Sequence, residues 1–469
     1  MSDGTELKRE VGRFGSFSMG YADIGADIYI SLGLIALYAY TAAPLALMIA
    51  AIAYITTGLS YAELASKYPV AGGAQYYAYK AFGKLNGFIA GWGLMLDYTV
   101  DIALFSLASV GYLGFLVKTF TGTGILMINP FYGLCAVLLI ILLIGLNIIG
   151  IKYSSKFNEV FVLIDLLTVS IVLVLGLYEV LVSGKIFSWI ESLKNFGKIP
   201  TWEDFTYAIT LSMASYIGIE SISQAAEETR NPRRIIPSAT KATIVSVVII
   251  AFLASLLSVT LIDPFNAEAR VQDPMVALAS AVPFIGGWLA LWVGFMGFMI
   301  CYVSTNTGVI GVSRVTFSMS RLNLSPKIFR RIHKVYRTPY VTIIVFSLVA
   351  ILIILVNIFL PSVDLLELVA SLYNFGALIS YMYVNLALIV LRKENVAGWK
   401  VPGSISLRWK GENFEVPILP LIGFTSCLII WIMIVATHEH GRLLGFAWFT
   451  IGVIIYLAIT RRKRVDAGG

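Results

Sequence analysis

The chain has 469 residues, of which 58% are apolar and 13% are charged, and its formal net charge is +7. Soluble proteins carry about 25% charged residues, so this composition excludes a soluble globular protein and indicates an integral membrane protein. Its mean hydropathy of +0.84 agrees with that class. Basic residues at the inner surface of a membrane meet anionic lipid, so the positive charge predicts membrane lipid and not nucleic acid as a partner.

Apolar runs long enough to cross a bilayer as helices recur along the whole chain. They predict an all-α integral membrane protein with twelve transmembrane helices. In chain order the predicted spans are 14–40, 43–65, 87–117, 128–149, 157–182, 204–225, 239–261, 286–312, 340–360, 365–391, 417–436 and 442–460.

Lys and Arg residues predict the orientation of these spans. With the N-terminus in the cytoplasm and the spans alternating in direction, all but six of the 34 basic residues fall on the cytoplasmic side. The six are Lys118, Lys185, Lys194, Lys198, Arg270 and Arg442. This asymmetry favours a multi-pass protein of the plasma (cytoplasmic) membrane with both termini in the cytoplasm.

Two spans contain glycine and acidic residues where lipid would reject charge. We expect the first span to be broken at Gly20–Tyr29 and the sixth at Ser215–Glu220. Paired interruptions of this kind indicate an inverted-repeat transporter, with spans 1–5 and 6–10 as the two repeats. The predicted organisation is a cytoplasmic tail (1–13), a transport core (14–391), a cytoplasmic loop (392–416) with a hairpin at 398–416, two extra spans (417–460) and a second tail (461–469).

Six acidic residues inside the predicted spans are candidates for function, and no Lys or Arg lies near mid-span to balance them. They are Asp23, Asp27, Asp97, Asp101, Asp165 and Glu220. A charged group at this depth is costly and is by default a functional-site hypothesis. These side chains are expected to face a water-filled cavity, to bind a cation or to carry protons, although a set of hydrogen-bonded structural acids is the alternative. Glu220 is expected to pair with backbone N–H groups freed by the break.

No nucleophile–base pair and no cluster of metal-ligating residues occurs within the spans, so we do not expect an enzyme. No phosphate-binding loop is present, which argues against an ATP-driven pump. The charged segment Glu227–Arg234 lies at the predicted cytoplasmic mouth and is expected to form a solvated surface loop, with mobile gate ion pairs as the alternative.

Several short motifs, in this order, resemble those of permeases of the amino acid–polyamine–organocation superfamily. They are Ile24–Tyr29 in span 1, Tyr61–Leu64 and Tyr68–Gly73 after span 2, Ala81–Gly83, Gly91–Trp92, Gly218–Glu220, Glu227–Pro237, Ser313–Arg314 and Leu324–Lys327. The resemblance implies a secondary transporter that works by alternating access, with its substrate between the breaks in spans 1 and 6. It also implies that exposed amides of the span 1 break hold a substrate carboxylate.

The chain departs from that family pattern at two positions. Asp27 stands where the family has glycine, and Asp165 falls where some relatives have a lysine that replaces a coupling sodium ion. Two unit charges 4 Å apart interact by about 4 kcal/mol at an effective dielectric constant of 20, so an ionised Asp27 opposes a carboxylate. Either Asp27 is protonated or the substrate presents a positive group there.

The candidate residues form two sets. The substrate-binding set is Gly25, Ala26, Asp27, Ile28, Tyr98, Asp101, Ser215, Tyr216 and Gly218. The ion-coupling set is Asp23, Asp27, Asp165, Ser304 and Thr305. Burial disfavours the charged form of a carboxylate, which makes Asp27 and Asp165 the candidates for carrying a proton. Ordinary aromatic packing for Tyr98 and helix-to-helix bonding for Ser304 and Thr305 remain alternatives.

The sequence thus favours a secondary permease of amino acids or related amines, with a cationic substrate such as a polyamine or a basic amino acid preferred. The expected coupling ion is a proton or, as second choice, sodium, and no other cofactor is expected. An importer of an inorganic cation such as potassium, from the same superfamily, is the first alternative. A channel or a transporter-like receptor is the second. The sequence does not predict an oligomeric state.

Overall fold

The computed structural model of the chain describes residues 7–262, 273–359, 365–394, 396–409 and 412–468. The α-helices are α1 (Arg13–Ala39), α2 (Ala43–Lys67), α3 (Ala74–Phe82), α4 (Lys84–Thr121), α5 (Phe131–Ile149), α6 (Ile151–Val182), α7 (Lys185–Ser192), α8 (Trp202–Ala214), α9 (Ser221–Gln224), α10 (Pro232–Leu261), α11 (Pro274–Ser280), α12 (Gly286–Arg321), α13 (Tyr340–Phe359), α14 (Leu365–Leu391), α15 (Ile418–Thr437) and α16 (Glu439–Gly468). Short 3₁₀ turns lie at Tyr40–Ala42, Ile125–Met127, Leu193–Asn195, Ala226–Glu228 and Lys327–Arg330.

The helices confirm the predicted all-α membrane class. Within the described ranges, nine segments are long and apolar enough to cross a membrane, and the first of them, Arg13–Lys67, contains both α1 and α2. A shorter apolar helical stretch covers Tyr340–Val356. Each of the twelve predicted spans overlaps at least one of the helices named above. The number of crossings, the inverted repeat and the orientation of the termini stay predictions.

The predicted break in the first span is wrong, because α1 runs without interruption from Arg13 to Ala39. Its glycines provide space for neighbouring side chains. A Cβ atom at Gly20 would lie 2.6 Å from Cδ1 of Ile222, and one at Gly25 would lie 2.8 Å from the ring of Tyr21. Small residues in membrane helices commonly serve this purpose, so the glycines of α1 allow close packing and leave the helix intact.

The predicted break in the sixth span is confirmed. α8 ends at Ala214, the chain turns through residues 215–220, and α9 follows at Ser221. The segment therefore crosses the centre of the bundle as two short helices joined by non-helical backbone. Such backbone is tolerated at membrane depth only where it is buried in protein or lines a cavity.

The predicted hairpin is also confirmed, and it lies between α14 and α15. Strand β1 (Ser404–Trp409) pairs antiparallel with strand β2 (Glu412–Pro417), and Ser404 lies opposite Pro417. Elsewhere, the segment before α1 pairs with the segment after α9: the N–H groups of Glu10 and Val11 donate to the carbonyl oxygen of Glu228 at 2.9 and 3.0 Å. The start of the described chain is thereby joined to the end of the broken span.

The short helix α7 covers the connection between α1 and α2. The indole N–H of Trp189 donates a hydrogen bond of 2.8 Å to the carbonyl oxygen of Thr41, which lies in the 3₁₀ turn between those two helices. This hydrogen bond holds α7 against the turn between the first two helices. The non-transmembrane segment after α6 is thus an ordered part of the bundle.

Candidate functional site

The break between α8 and α9 brings backbone directly against α1. Gly218 has a φ of 124°, a conformation that side chains rarely adopt and glycine tolerates. A Cβ atom at Gly218 would lie 2.5 Å from the Cβ atom of Asp23. Both the backbone conformation and the close approach of α1 therefore require glycine at this position.

Asp23 joins three helices around the break. Its Oδ2 accepts a hydrogen bond of 2.8 Å from Ser221 Oγ on α9, and its Oδ1 accepts one of 3.1 Å from Ser304 Oγ on α12. The hydroxyl oxygen of Tyr98 on α4 lies 3.1 Å from Ser221 Oγ. Three residues of the predicted sets, Asp23, Tyr98 and Ser304, are thus brought together at one point.

Asp27 lies one helical turn further along α1 and is held only weakly. Its Oδ2 accepts a hydrogen bond of 3.5 Å from the hydroxyl of Tyr373 on α14. Ser31 Oγ donates to the carbonyl oxygen of Asp27 at 2.7 Å and lies 2.5 Å from Ser215 Oγ. The predicted residues Asp27 and Ser215 are therefore neighbours, connected through Ser31.

Glu220 turns back onto the break, as expected. Its Oε2 accepts a hydrogen bond of 3.2 Å from the backbone N–H of Gly218 and another from the hydroxyl of Tyr381 on α14. Its Oε1 receives no hydrogen bond from any described residue. One oxygen of Glu220 thus satisfies the freed backbone, and the carboxyl group also lies within hydrogen-bond reach of the carboxyl group of Asp97.

Asp97 and Asp101 on α4 are buried without a donor. All four of their carboxyl oxygens lack a hydrogen-bond donor among the described residues, and both side chains are at most 1% exposed. Asp101 is pressed against α12, because a Cβ atom at Gly308 would lie 2.1 Å from its Oδ2. Buried polar groups are normally hydrogen-bonded, so such exceptions require an explanation.

We define the central acid cluster as Asp23, Asp27, Asp97, Asp101 and Glu220. Its members are close enough to repel one another when they are ionised. No Lys or Arg side chain of the described residues forms an ion pair with any of them. A buried carboxylate is strongly disfavoured unless it is paired or protonated. The cluster therefore requires protons, or a cation that the protein does not itself contain.

Asp165 lies in a separate place, on α6 against the middle turns of α1. Tyr21 and Tyr29 donate hydrogen bonds to its two oxygens at 2.9 and 2.7 Å. The hydroxyl of Thr305 donates to the carbonyl oxygen of Cys301 within its own helix at 3.0 Å. Of the predicted ion-coupling set, the structure joins Ser304 to Asp23, whereas Asp165 and Thr305 have other hydrogen-bond partners.

The remaining candidates of the substrate set surround the break. Tyr216 stacks on Tyr54 with ring centroids 5.0 Å apart, and its hydroxyl has no hydrogen-bond partner among the described residues. Ile28 and Ser215 help to line a narrow, mainly apolar crevice. Gly25 and Ala26 are buried in α1.

The expectation that Glu227–Arg234 is a solvated loop is wrong for Glu228. Its two carboxylate oxygens accept hydrogen bonds from Nε and Nη2 of Arg314 at 3.0 and 3.1 Å, and both side chains are buried. Glu227 forms a half-exposed pair with Arg321 at 2.8 Å. The physical reason is that α12 extends as far as Arg321 and places Arg314 directly against the segment that follows α9.

Sequence reasoning missed the tyrosines of α14 that hold Asp27 and Glu220. Tyr373 and Tyr381 lie eight residues apart and therefore share one face of a helix. That spacing is the signal in the sequence, but it is weak because the chain contains 24 tyrosines. Ser221 was missed for a similar reason, since a lone serine after a break is unremarkable without the position of Asp23.

Comparison with known proteins places the chain among transporters. The sequence profile of the amino acid permease family matches residues 11–459. The chain is 29% identical to the branched-chain amino acid permease BcaP of Bacillus subtilis (strain 168), over 97% of this chain and 94% of that protein. It is 27% identical to the low-affinity putrescine importer PlaP of Escherichia coli (strain K12), over 90% and 86%. It is also 27% identical to the cationic amino acid transporter 4 of Mus musculus, over 80% and 58%.

Proposed function

The chain belongs to the amino acid permease family, and from that premise we propose that it is a proton-coupled, alternating-access permease with a cationic amine as its preferred substrate. A polyamine or a basic amino acid has the required chemistry. The coarser statement, a membrane permease of amino acids or related amines and not an enzyme, follows from the family and from its relatives. The preference for a cation and the coupling ion are the proposals.

The observation that carries the cationic preference is the central acid cluster. Five buried carboxyl groups surround the break between α8 and α9, and no basic side chain of the described residues pairs with them. At 4 Å and an effective dielectric constant of 20, one ammonium group gains about 4 kcal/mol from one carboxylate. A substrate with one or more ammonium groups thus supplies the charge that the chain lacks.

Asp27 is the first carboxylate proposed to contact the substrate amine. Among the described residues, its side chain is held by one long hydrogen bond, from Tyr373, so little has to be broken when an ammonium group replaces that contact. The aromatic rings of Tyr98, Tyr216 and Tyr373 are buried beside the break, and aromatic faces also attract ammonium groups.

Proton coupling is proposed to occur at Asp165 and within the central acid cluster. When the substrate leaves, the cluster again contains uncompensated carboxyl groups, and protons restore neutrality. At Asp165, the two tyrosine hydroxyls stabilise the ionised carboxylate. Uptake and release of one proton at Asp165 changes both of these bonds to α1. The alternative is coupling to sodium. The oxygens of Asp23, Ser221 and Ser304 would then bind the ion, because sodium takes oxygen ligands.

Uptake by proteoliposomes tests this function. Purified protein is supplied with labelled putrescine, arginine, leucine or rubidium, each with and without an inward proton gradient. We expect saturable uptake of putrescine or arginine that rises when the gradient is imposed. Asp27→Asn is expected to lower that uptake by about tenfold or more, the loss of one charge-assisted contact. Glu191→Gln is the matched control, because Glu191 is exposed on α7 and pairs only with Lys194.

Each competing function predicts a different result. Leucine uptake that survives Asp27→Asn would remove the cationic preference and favour an activity like that in the name of the BcaP relative. Rubidium uptake without amine uptake would favour the inorganic cation importer. Flux that neither saturates nor follows the gradient would favour a channel. Uptake that depends on a sodium gradient alone would replace the proton as coupling ion.

A further inference from the structure

A second charged site lies at the end of the bundle where the N-terminal segment meets two loops. A cavity of about 530 Å³ opens there between residues 8–10, the junction of α5 and α6, and the turn before α13. Its lining residues are Lys8, Glu10, Ile149, Gly150, Ile151, Lys152, Tyr153, Glu228, Val335, Tyr336, Arg337 and Thr338. None of them belongs to the central acid cluster.

The cavity has an excess of uncommitted positive charge. Lys8, Lys152 and Arg337 line it, and their side chains form no ion pair or hydrogen bond with any described residue. Of the two acids in the lining, Glu228 has both carboxylate oxygens bound to Arg314. Only the Glu10 carboxylate is left to oppose three cations.

The start of α6 opens onto the same cavity and adds backbone donors. Gly150 joins α5 to α6 with a φ of 138°, and no side chain caps the 32-residue helix that begins at Ile151. The first N–H groups of a helix have no intrahelical partner, and they carry the positive end of the helix dipole. The backbone at Ile151 and Lys152 is therefore suited to an anion, in addition to the three basic side chains.

Arg337 is held in this position at a conformational cost. Its φ of 58° lies in the left-handed region, which arginine rarely adopts. The ring nitrogen Nδ1 of His333 accepts hydrogen bonds from the backbone N–H groups of Val335 and Tyr336 at 3.3 and 3.2 Å. The backbone N–H of His333 donates to the carbonyl oxygen of Thr338 at 2.8 Å. An unusual backbone that neighbours maintain is a reason to look for a function.

We propose that this cavity binds the phosphate group of an anionic ligand, either the headgroup of a membrane lipid or a free phosphate compound. Phosphate presents several acceptor oxygens, so that three separate cations and a helix start can bind it together. The partly exposed rings of Tyr153 and Tyr336 at the rim suit a position at a membrane–water boundary, where one end of such a side chain is apolar and the other is wet.

The location gives the ligand a route to the transport machinery. Lys8 is two residues before Glu10, whose N–H group donates to the carbonyl oxygen of Glu228, and Arg230 N–H donates to Val11 at 2.9 Å. Residues 228–230 follow α9 directly. A phosphate bound by both Lys8 and Lys152 therefore fastens the N-terminal segment, which is paired with the end of the broken span, to the start of α6. This inference does not depend on which substrate the protein transports.

Binding of two probes to the full-length protein tests the proposal. The first is radiolabelled inorganic phosphate, measured by equilibrium dialysis with detergent-purified protein. The second is phosphatidic acid, measured as its enrichment around protein that is reconstituted with phosphatidylcholine and then re-isolated. We expect saturable phosphate binding, lipid enrichment, or both. Lys152→Gln and Arg337→Gln are each expected to weaken it by about tenfold, and Glu10→Gln is expected to strengthen it.

Lys334→Gln is the matched control, because Lys334 is exposed in the same turn as Arg337 but does not line the cavity. Phosphate binding without lipid enrichment assigns the site to a free phosphate compound, and enrichment alone assigns it to a headgroup. Absence of both would overturn the proposal. An equal loss in Lys334→Gln and Lys152→Gln would also overturn it, because that pattern indicates general surface charge. Thermal unfolding of each variant shows whether it is folded.

Discussion

Buried acids occur in two regions of this molecule, and they differ in what neutralises them. Near the basic ends of α2 and α14, Glu63 contacts Lys67 at 2.6 Å and Arg392 at 2.9 Å. Glu228 is paired in the same way with Arg314. In the central acid cluster, five carboxyl groups have no such partner among the described residues. The chain neutralises the acids at the end of the bundle with its own cations and leaves those at the centre to an external proton or cation.

This difference separates structural acids from functional ones. Removing one partner of a buried ion pair leaves an uncompensated charge and costs about 3–5 kcal/mol. Removing an acid that has no basic partner leaves no uncompensated charge. The same type of side chain should therefore respond to mutation in opposite ways in the two regions, and stability and transport should be separable.

The largest expected effect comes from breaking a pair at the end of the bundle. Arg314→Met leaves the buried Glu228 carboxylate alone, and we expect the free energy of unfolding to fall by about 3–5 kcal/mol. Thermal unfolding of detergent-purified protein measures this. The double variant Arg314→Met, Glu228→Gln removes both charges and should recover most of the loss. If the double variant is no more stable than the single one, the pairing of charges is not what stabilises this contact.

A buried histidine extends the comparison. His438 follows α15, its Nε2 lies 2.9 Å from Thr210 Oγ1 on α8, and burial lowers its pKa from 6.5 to about 4. The unfolded chain thus binds a proton at His438 before the folded chain does, so stability should fall as the pH is lowered from about 6.5 to 4. The melting temperature measured as a function of pH should therefore fall over this range, and it should fall less in His438→Gln. An unchanged pH slope would show that other groups control it.

A smaller effect of opposite sign is expected at the centre. Asp101→Asn keeps the shape of the side chain and removes a carboxyl group that has no donor, so the free energy of unfolding should rise by about 1 kcal/mol. Amine uptake should fall in the same variant. Parallel measurements of melting temperature and proteoliposome uptake separate the two quantities. A clear loss of stability would place Asp101 with the structural acids.

The smallest effect is expected where an acid is paired but exposed. Glu394 accepts a hydrogen bond of 2.7 Å from the Tyr68 hydroxyl and lies 3.0 Å from Lys80 Nζ, and these two contacts, in that order, lower its pKa. The stabilisation is present at neutral pH and is lost as the pH falls through the lowered pKa of Glu394. Solvent screens such pairs, so Glu394→Gln should change the free energy of unfolding by less than about 1 kcal/mol. A larger change in the free energy of unfolding at pH 7 would mean that burial does not explain the difference in strength between this exposed pair and the buried pair of Glu228 and Arg314.

The sequence was sufficient for the helices and for one of the two breaks. Apolar length located the long helices but not the short helices α3, α7 and α11, which lie outside the predicted spans. Gly218 was recognised because a glycine, an acid and polar residues interrupt an apolar run. The same pattern predicted a break around Gly25, where α1 is continuous. Whether a glycine interrupts a helix or accommodates a ring such as that of Tyr21 depends on the neighbouring atoms, which a single sequence does not specify.

The sequence also could not identify contacts between residues that lie far apart along the chain. Glu228 and Arg314 are 86 residues apart, and Asp27 and Tyr373 are 346 apart. Nothing local distinguishes these residues from surface charges or packed aromatics. By contrast, Glu220 could be assigned to the freed backbone of the break, because its partner Gly218 is only two residues away.

The hydrogen bond from Trp189 to Thr41 provides the chain with an optical reporter of its own. It ties a helix that follows α6 to the turn between α1 and α2, so any displacement of α1 relative to α7 must stretch the bond or carry the indole along. Indole emission shifts when a hydrogen bond is exchanged for water. A protein in which the other tryptophans are replaced by phenylalanine would then report any such displacement as a shift in its emission wavelength, with no label attached.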